Sequence, residues 1–365
     1  MEASKVKKIH DYGQSIWLDF IDREIIKSGK LKELIEVDGV RGLTSNPAIF
    51  EKAISSSPDY DADIAQFSKE KISNEDIFYR LAIKDIQQAA DLLLPVYNQA
   101  VKGSDGYASL EVSPLLALDT EGTIKQALQL WEEVNRKNVM IKIPGTQPGL
   151  AAIRKTISEG LNINVTLLFG LERYKQVTDA YIEGLEERAA NGESIKDIAS
   201  VASFFLSRID VLIDPILEER HLGELKGEVA IASAKKAYEI YKQVFSGERW
   251  EKLAALGARP QRLLWASTSS KNPAFKDTKY VEALIGPDTV DTIPMETLEA
   301  YRDHGDPENR LEIDLDGASA ILAQLRHEEI DLAKLTQQLE DEGIEKFNAP
   351  YEKLLNAIEK QKQLA

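Results

Sequence analysis

The sequence predicts an α/β fold, a (β/α)8 TIM barrel with helical insertions and a helical C-terminal extension. Three observations lead there. Eight short apolar runs punctuate the chain, separated by longer charge-bearing stretches of helical character, the alternation of βα units around a parallel sheet. Most runs are apolar nearly throughout, as strands covered on both faces are. The polar residues that interrupt them lie near their C-terminal ends, where a barrel of this kind assembles its site.

The first run, Ser15–Phe20, carries Asp19 among Trp17, Leu18 and Phe20. A carboxylate in such company is costly unless it is paired or put to use. It reads either as a reactive acid or as a strand-end acid that caps a helix or meets Arg23, four residues on. The second run, Gly42–Thr44, closes in GLTSNPAIF. Thr44, Ser45 and Asn46 supply hydrogen-bonding groups ahead of Pro47, fitting substrate binding and an ordinary helix N-cap equally. A helical insert follows from Asn74 to Val101, with Ile77, Leu81, Ile83 and Ile86 at helical intervals.

The third run, Tyr107–Val112, holds Glu111 between Leu110 and Val112. An interior acid there suits general acid/base work; half of a Lys–Glu ion pair is the other reading. The fourth, Val139–Ile143, is apolar except for Lys142, and Pro144 and Gly145 stop it abruptly. An ammonium held away from water is expensive unless paired or deprotonated. Loss of the proton gives the neutral amine that Schiff-base chemistry with a ketone requires; a stem that packs while its head reaches water is the alternative.

In the fifth run, Asn162–Leu168, Asn162, Asn164 and Thr166 alternate with Ile163, Val165 and Leu167. Period two sends the polar set one way, either to solvent, where it would mean little, or to the barrel interior, which a strand buried on both faces favours. There Asn164 and Thr166 can bind hydroxyls or hold a water. The sixth run, Ala199–Phe205, places Ser203, Phe205 and, just beyond, Arg208 near a strand end. A guanidinium fork matches phosphate oxygens; a helix-surface bridge to Asp210 or Asp214 is the alternative. Glu228 to Leu256 reads as one or two amphipathic helices.

The seventh run, Arg262–Ala266, continues into hydroxyls that include Ser267, then Lys271, a second phosphate cradle or simply a polar loop. Thr289–Thr292 is the eighth. The tail from Asp314 to Ala365 is helical, with Leu332, Leu335, Leu339, Phe347, Leu354, Leu355 and Ile358 in an apolar stripe that Pro350 kinks or divides. Packed on the barrel, these C-terminal helices (about 314–365) make residues 1–365 one domain. A long charged helix also invites a second copy, so monomer and homodimer both stay open.

Composition narrows the function. With 45 basic against 61 acidic residues the net charge is −16, which argues against nucleic acid or an anionic membrane surface. A few converging basic residues can still hold a phosphate. The absence of cysteine excludes disulfides, thiolate catalysis and thiolate-bound metal, and fits a cytoplasmic protein. No apolar stretch reads as a signal peptide or approaches membrane-spanning length. His10, His221, His304 and His327 lack metal-ligand spacing, and no phosphate-binding or dinucleotide glycine pattern is present, so no metal or cofactor is expected.

Taken together, WLDF at Asp19, GLTSNPAIF, SLEVSP at Glu111, VMIKIPGT at Lys142, NINVTLLF, ASFFLSRID and LLWASTSSKNPAF resemble the transaldolase family. They span Asp19 to Phe275 in the family's order, and the longer helical segments resemble its larger bacterial subgroup. The resemblance implies a barrel with the Schiff-base lysine, here Lys142, on the fourth strand. It implies transfer of dihydroxyacetone from sedoheptulose 7-phosphate to glyceraldehyde 3-phosphate in the non-oxidative pentose phosphate pathway.

In that reading Glu111 moves protons through a water held by Thr166, and Asp19 takes the C4 hydroxyl proton. Thr44, Asn46, Asn164 and Ser203 bind hydroxyls, while Phe205, Arg208, Ser267 and Lys271 complete the substrate site. Many members carry an arginine after the seventh strand; Ser269 stands in its place here, and Lys271 is its expected substitute. The rival within the family is a fructose 6-phosphate aldolase that releases free dihydroxyacetone; there the counterparts of Glu111 and Phe205 resemble glutamine and tyrosine. A non-catalytic phosphosugar-binding barrel is the rival from another class.

Overall fold

The structure is a computed structural model and describes residues 4–100 and 103–364. Eight parallel strands close into a barrel in chain order: β1 (Gln14–Asp19), β2 (Gly42–Thr44), β3 (Tyr107–Glu111), β4 (Val139–Pro144), β5 (Ile163–Leu168), β6 (Ser200–Phe205), β7 (Arg262–Ala266) and β8 (Thr289–Ile293). Closure pairs β1 with β8, from Gln14 opposite Thr289 to Leu18 opposite Ile293. Helices between consecutive strands cover the outer face, which accounts for strands that are apolar on both sides.

Asp105, ahead of β3, accepts from Ser15 Oγ at 2.8 Å and Trp17 Nε1 at 3.2 Å, and meets Arg262 at 3.1 Å. These partners, the Arg262 charge first, hold its carboxyl below the usual range despite burial. Gly42 has no room for a side chain, because a Cβ there would lie 2.4 Å from the Trp17 ring.

The insert after β2 forms a helix over Asn74–Gln99, opened by a capping box in which Ser73 and Asp76 satisfy each other's backbone N–H; Val101, where the sequence placed its end, lies outside the described residues. Glu228 to Leu256 holds two helices, Val229–Val244 and Glu248–Ala255. The tail corrects an expectation. It breaks between the helices Leu315–His327 and Leu332–Leu364, where Glu329 turns left-handed at φ 56°, and it runs undivided through Pro350. Phe347, Tyr351, Leu354 and Ile358 are buried on both sides of that proline, so packing of the stripe outweighs one missing backbone hydrogen bond. This last helix lies on the helix Pro47–Ser56 and reaches the C-terminal end of β5. Residue 365 lies outside the described residues. Among the described residues no helix is long and apolar enough to cross a membrane.

One interior carboxyl makes stability depend on pH. Asp291 on β8 is fully buried, and neither of its oxygens has a hydrogen-bond partner of good geometry among the described residues. Burial pushes it up to about 8, against a weaker opposing pull from the Thr268 hydroxyl. The folded chain therefore keeps a proton that the unfolded chain releases near pH 4, so this group's contribution falls as pH rises from about 4 to about 8. The slope is on the order of 1 kcal/mol per pH unit. Asp291→Asn removes that slope. Urea unfolding at pH 5 and pH 8 should show the variant gaining on the parent as pH rises; a constant gap between them contradicts this assignment.

Candidate active site

At the C-terminal ends of the strands lies a cavity of about 230 Å3. Its wall includes Asp19, Thr44, Asn46, Lys142, Thr166, Ser203, Phe205, Arg208, Ser267 and Lys271. Size does not single it out, since a cleft of about 660 Å3 runs outside the barrel beside the last helix. Chemistry does.

Register sets the central pair. Glu111 on β3 lies opposite Lys142 on β4, and both side chains point inward. Lys142 Nζ sits 3.2 Å from Glu111 Oε2 and donates to the Ser45 carbonyl at 2.9 Å. Each residue is about 5% exposed, so of the two earlier readings of Lys142 the snorkelling one is ruled out. Burial pushes the Glu111 carboxyl above its ordinary value, and the Lys142 charge pulls it part of the way back. Glu111 itself stands behind Lys142 rather than on the cavity wall. Thr166 Oγ1, on the wall, is a buried hydroxyl with no hydrogen-bond partner among the described residues.

Asp19, at the end of β1, faces the same cavity. Its Oδ1 accepts from Thr44 Oγ1 at 2.6 Å, and Thr44 Oγ1 lies 2.7 Å from Thr292 Oγ1. Its side chain retains some exposure to the cavity, yet protein surrounds it. Lost hydration raises its carboxyl above the ordinary value, opposed by the Lys142 charge and then the Thr44 hydrogen bond. The local alternatives for Asp19 are not what forms: Asp22 caps the next helix, and Arg23 pairs with Asp85 at 2.9 Å and Asp63 at 2.8 Å.

Asn46 serves twice, lining the cavity while its Oδ1 accepts from Ile49 N–H at 3.0 Å to cap the helix Pro47–Ser56. Asn164 does not reach the cavity. It is wholly buried and braces the wall, donating to Ser109 Oγ at 3.2 Å and accepting from Ser203 Oγ at 2.7 Å.

Two cations face the opening. The Arg208 guanidinium lies over the Phe205 ring, 5.9 Å from its centroid, and has no carboxylate partner among the described residues. Asp210 and Asp214, proposed above as its partners, instead accept from the backbone N–H groups of Ala230 and Gly227. Burial lowers the Arg208 guanidinium from its ordinary value, with no neighbouring acid to offset it. Lys271 is exposed and donates to Ser269 Oγ at 2.6 Å. Ser267, at φ 56°, is fixed against Ser207, their hydroxyls 2.9 Å apart.

The Transaldolase/Fructose-6-phosphate aldolase family profile matches residues 16–358 of the chain. The chain belongs to that family. A "Transaldolase" of Trichodesmium erythraeum is 49% identical, with 98% of each chain covered. "Transaldolase 2" of Nostoc punctiforme is 47% identical over 98% of each, and a "Transaldolase" of Thermobifida fusca 44% over 98% of each.

Against this family background the structure adds cavity residues that the sequence reading passed over: Thr292, Pro294 and Glu296 at and beyond β8, and Phe347 from the last helix. Thr292 was within reach, since a polar residue at the C-terminal end of a strand is the signal that found the others. Phe347 was not, because in sequence it is one more apolar position in a helical stripe. Among the described residues no three His, Asp or Glu side chains cluster as a metal site.

Proposed function

We propose that this chain is a transaldolase that moves a dihydroxyacetone unit between phosphorylated sugars through a Schiff base on Lys142. The observation that carries this is the buried Lys142–Glu111 pair, 3.2 Å apart, whose lysine shares the cavity wall with Asp19. Family membership and relatives named Transaldolase over nearly their whole length agree with it.

In the proposed cycle Glu111 accepts a proton from Lys142, and the free amine adds to the C2 carbonyl of sedoheptulose 7-phosphate. Loss of water, protonated by way of Glu111 and a water at Thr166, leaves an iminium. Asp19 takes the C4 hydroxyl proton as the C3–C4 bond breaks. The bonding electrons pass to the iminium nitrogen, giving an enamine, and erythrose 4-phosphate leaves as the aldehyde. Glyceraldehyde 3-phosphate then enters, the enamine carbon attacks its aldehyde, and Asp19 returns the proton to the new C4 hydroxyl. Hydrolysis of the iminium frees fructose 6-phosphate and Lys142.

Thr44, Asn46 and Ser203 would bind the hydroxyls of the three-carbon unit, Ser203 being held in place by Asn164. Arg208 and Lys271, with Ser267 and Ser269 beside them, would receive the phosphate. The Phe205 ring beside Arg208 and Phe347 from the last helix limit access of water to the enamine. On this reading the whole chain acts as one domain, because the last helix supplies part of the cavity wall.

Fructose 6-phosphate alone should release little free dihydroxyacetone, and adding erythrose 4-phosphate should start sedoheptulose 7-phosphate formation. Steady release of dihydroxyacetone without an acceptor would instead assign the chain to the aldolase branch. Binding with neither product would make it a non-catalytic binder.

A further inference from the structure

The hydrogen-bond directions around Asp19 follow from proton counting. An ionised carboxylate only accepts, so in the 2.6 Å contact Thr44 Oγ1 must donate to Asp19 Oδ1. A hydroxyl has one proton, and Thr44 has spent it. The 2.7 Å contact between Thr44 Oγ1 and Thr292 Oγ1 can then run one way only, with Thr292 donating to Thr44. Three oxygens from three strands, β8, β2 and β1, form a single file in which two hydroxyls donate in turn toward the carboxylate.

Thr292 is itself fixed in place. It is buried, its carbonyl accepts from Thr268 Oγ1 at 3.4 Å, and β8 holds it opposite Trp17 of β1. Asp19 has no further hydrogen bond among the described residues, so the remainder of its carboxylate is available to the cavity that it lines.

We propose that Thr292 is a positioning residue for making and breaking the C3–C4 bond: its hydroxyl commits the Thr44 proton to Asp19 Oδ1 and leaves Oδ2 for the substrate hydroxyl. This rests on the assignment of Asp19 as the base. The chain is also reversible. When Asp19 holds a proton on Oδ1 it can donate to Thr44, which then donates to Thr292, so both protonation states keep a continuous hydrogen-bonded file. Other charges act on Asp19 from the elements around it. Lys142 on β4, Lys271 after β7 and Glu296 after β8 influence it directly, Glu111 on β3 is coupled to it, and Arg208 after β6 lines the same cavity. None of these touches the Thr44 hydroxyl in the way Thr292 does.

The test is Thr292→Val, which keeps the shape and removes the donor, beside Thr292→Ser, which keeps the donor. With sedoheptulose 7-phosphate and glyceraldehyde 3-phosphate, kcat of the valine variant should fall about 10-fold, the loss expected for one hydrogen bond, with KM little changed. The acid limb of its kcat profile should move to higher pH, because a carboxylate with a weaker donor protonates more readily. The serine variant should keep the parent's limb and most of its kcat. In a Thr44→Val background the valine change should add nothing, since Thr292 acts through Thr44.

Borohydride trapping on Lys142 should persist in every variant, which separates failure of this inference from failure of the Schiff-base reading. A valine variant with the parent's kcat and pH profile overturns the proposal. So does an effect confined to KM, or equal damage from valine and serine. Should the valine variant not fold, the serine variant decides: a shifted acid limb there contradicts the proposal and an unshifted one supports it.

Discussion

Lys142→Met is expected to abolish transfer, lowering turnover on the order of 10,000-fold or more while the barrel still folds. Without the amine no iminium forms, and the carbanion released by C3–C4 cleavage has no electron sink. Methionine fills the apolar volume around the lysine stem. The larger risk is Glu111, left buried beside no cation. Removing one partner of a buried pair costs about 3–5 kcal/mol when the other stays charged. Glu111 escapes most of that by taking up a proton, towards which burial already biases it. A coupled assay of product formation, together with circular dichroism of the purified variant, checks both halves. Substantial transfer by a folded Lys142→Met protein would refute the covalent mechanism.

Asp19→Asn is expected to divide the reaction in two. The variant should still condense with the donor, because Glu111 and Lys142 are unaltered, yet cleave C3–C4 about 100- to 10,000-fold more slowly for want of a base. The amide fits the space and can still accept from Thr44, so folding should survive. In the parent, burial raises the Asp19 carboxyl, so kcat should fall on acidification with a midpoint above the usual carboxylate range. The variant should lose that limb. Rapid-mixing experiments that follow donor loss and aldehyde release separately would reveal a rate limit at bond cleavage; normal turnover would remove Asp19 from the mechanism.

The barrel was readable because its strands obey a local rule. The runs at Gly42–Thr44 and Arg262–Ala266 form strands with those bounds, and the others shift by one residue at one end or both. Most of the candidate site was readable for a related reason: Asp19, Glu111 and Lys142 each place a costly charged group inside an apolar strand, and Thr166 belongs to a polar set that alternates with apolar residues. What stayed hidden depends on distant pairing. The partners of Arg23 are Asp63 and Asp85 rather than Asp19, and spacing along a helix cannot reveal that. The break in the tail falls at Glu329 rather than Pro350, because burial of the stripe carries the helix through the proline. Likewise Phe347 joins the cavity wall only because the last helix packs against β5.

The most direct measurement is covalent capture. Treating the protein with borohydride in the presence of fructose 6-phosphate, then mapping peptides by mass spectrometry, should give one stable three- or six-carbon adduct, on Lys142 and absent from Lys142→Met. An adduct on another lysine, or none at all while transfer proceeds, would contradict the account.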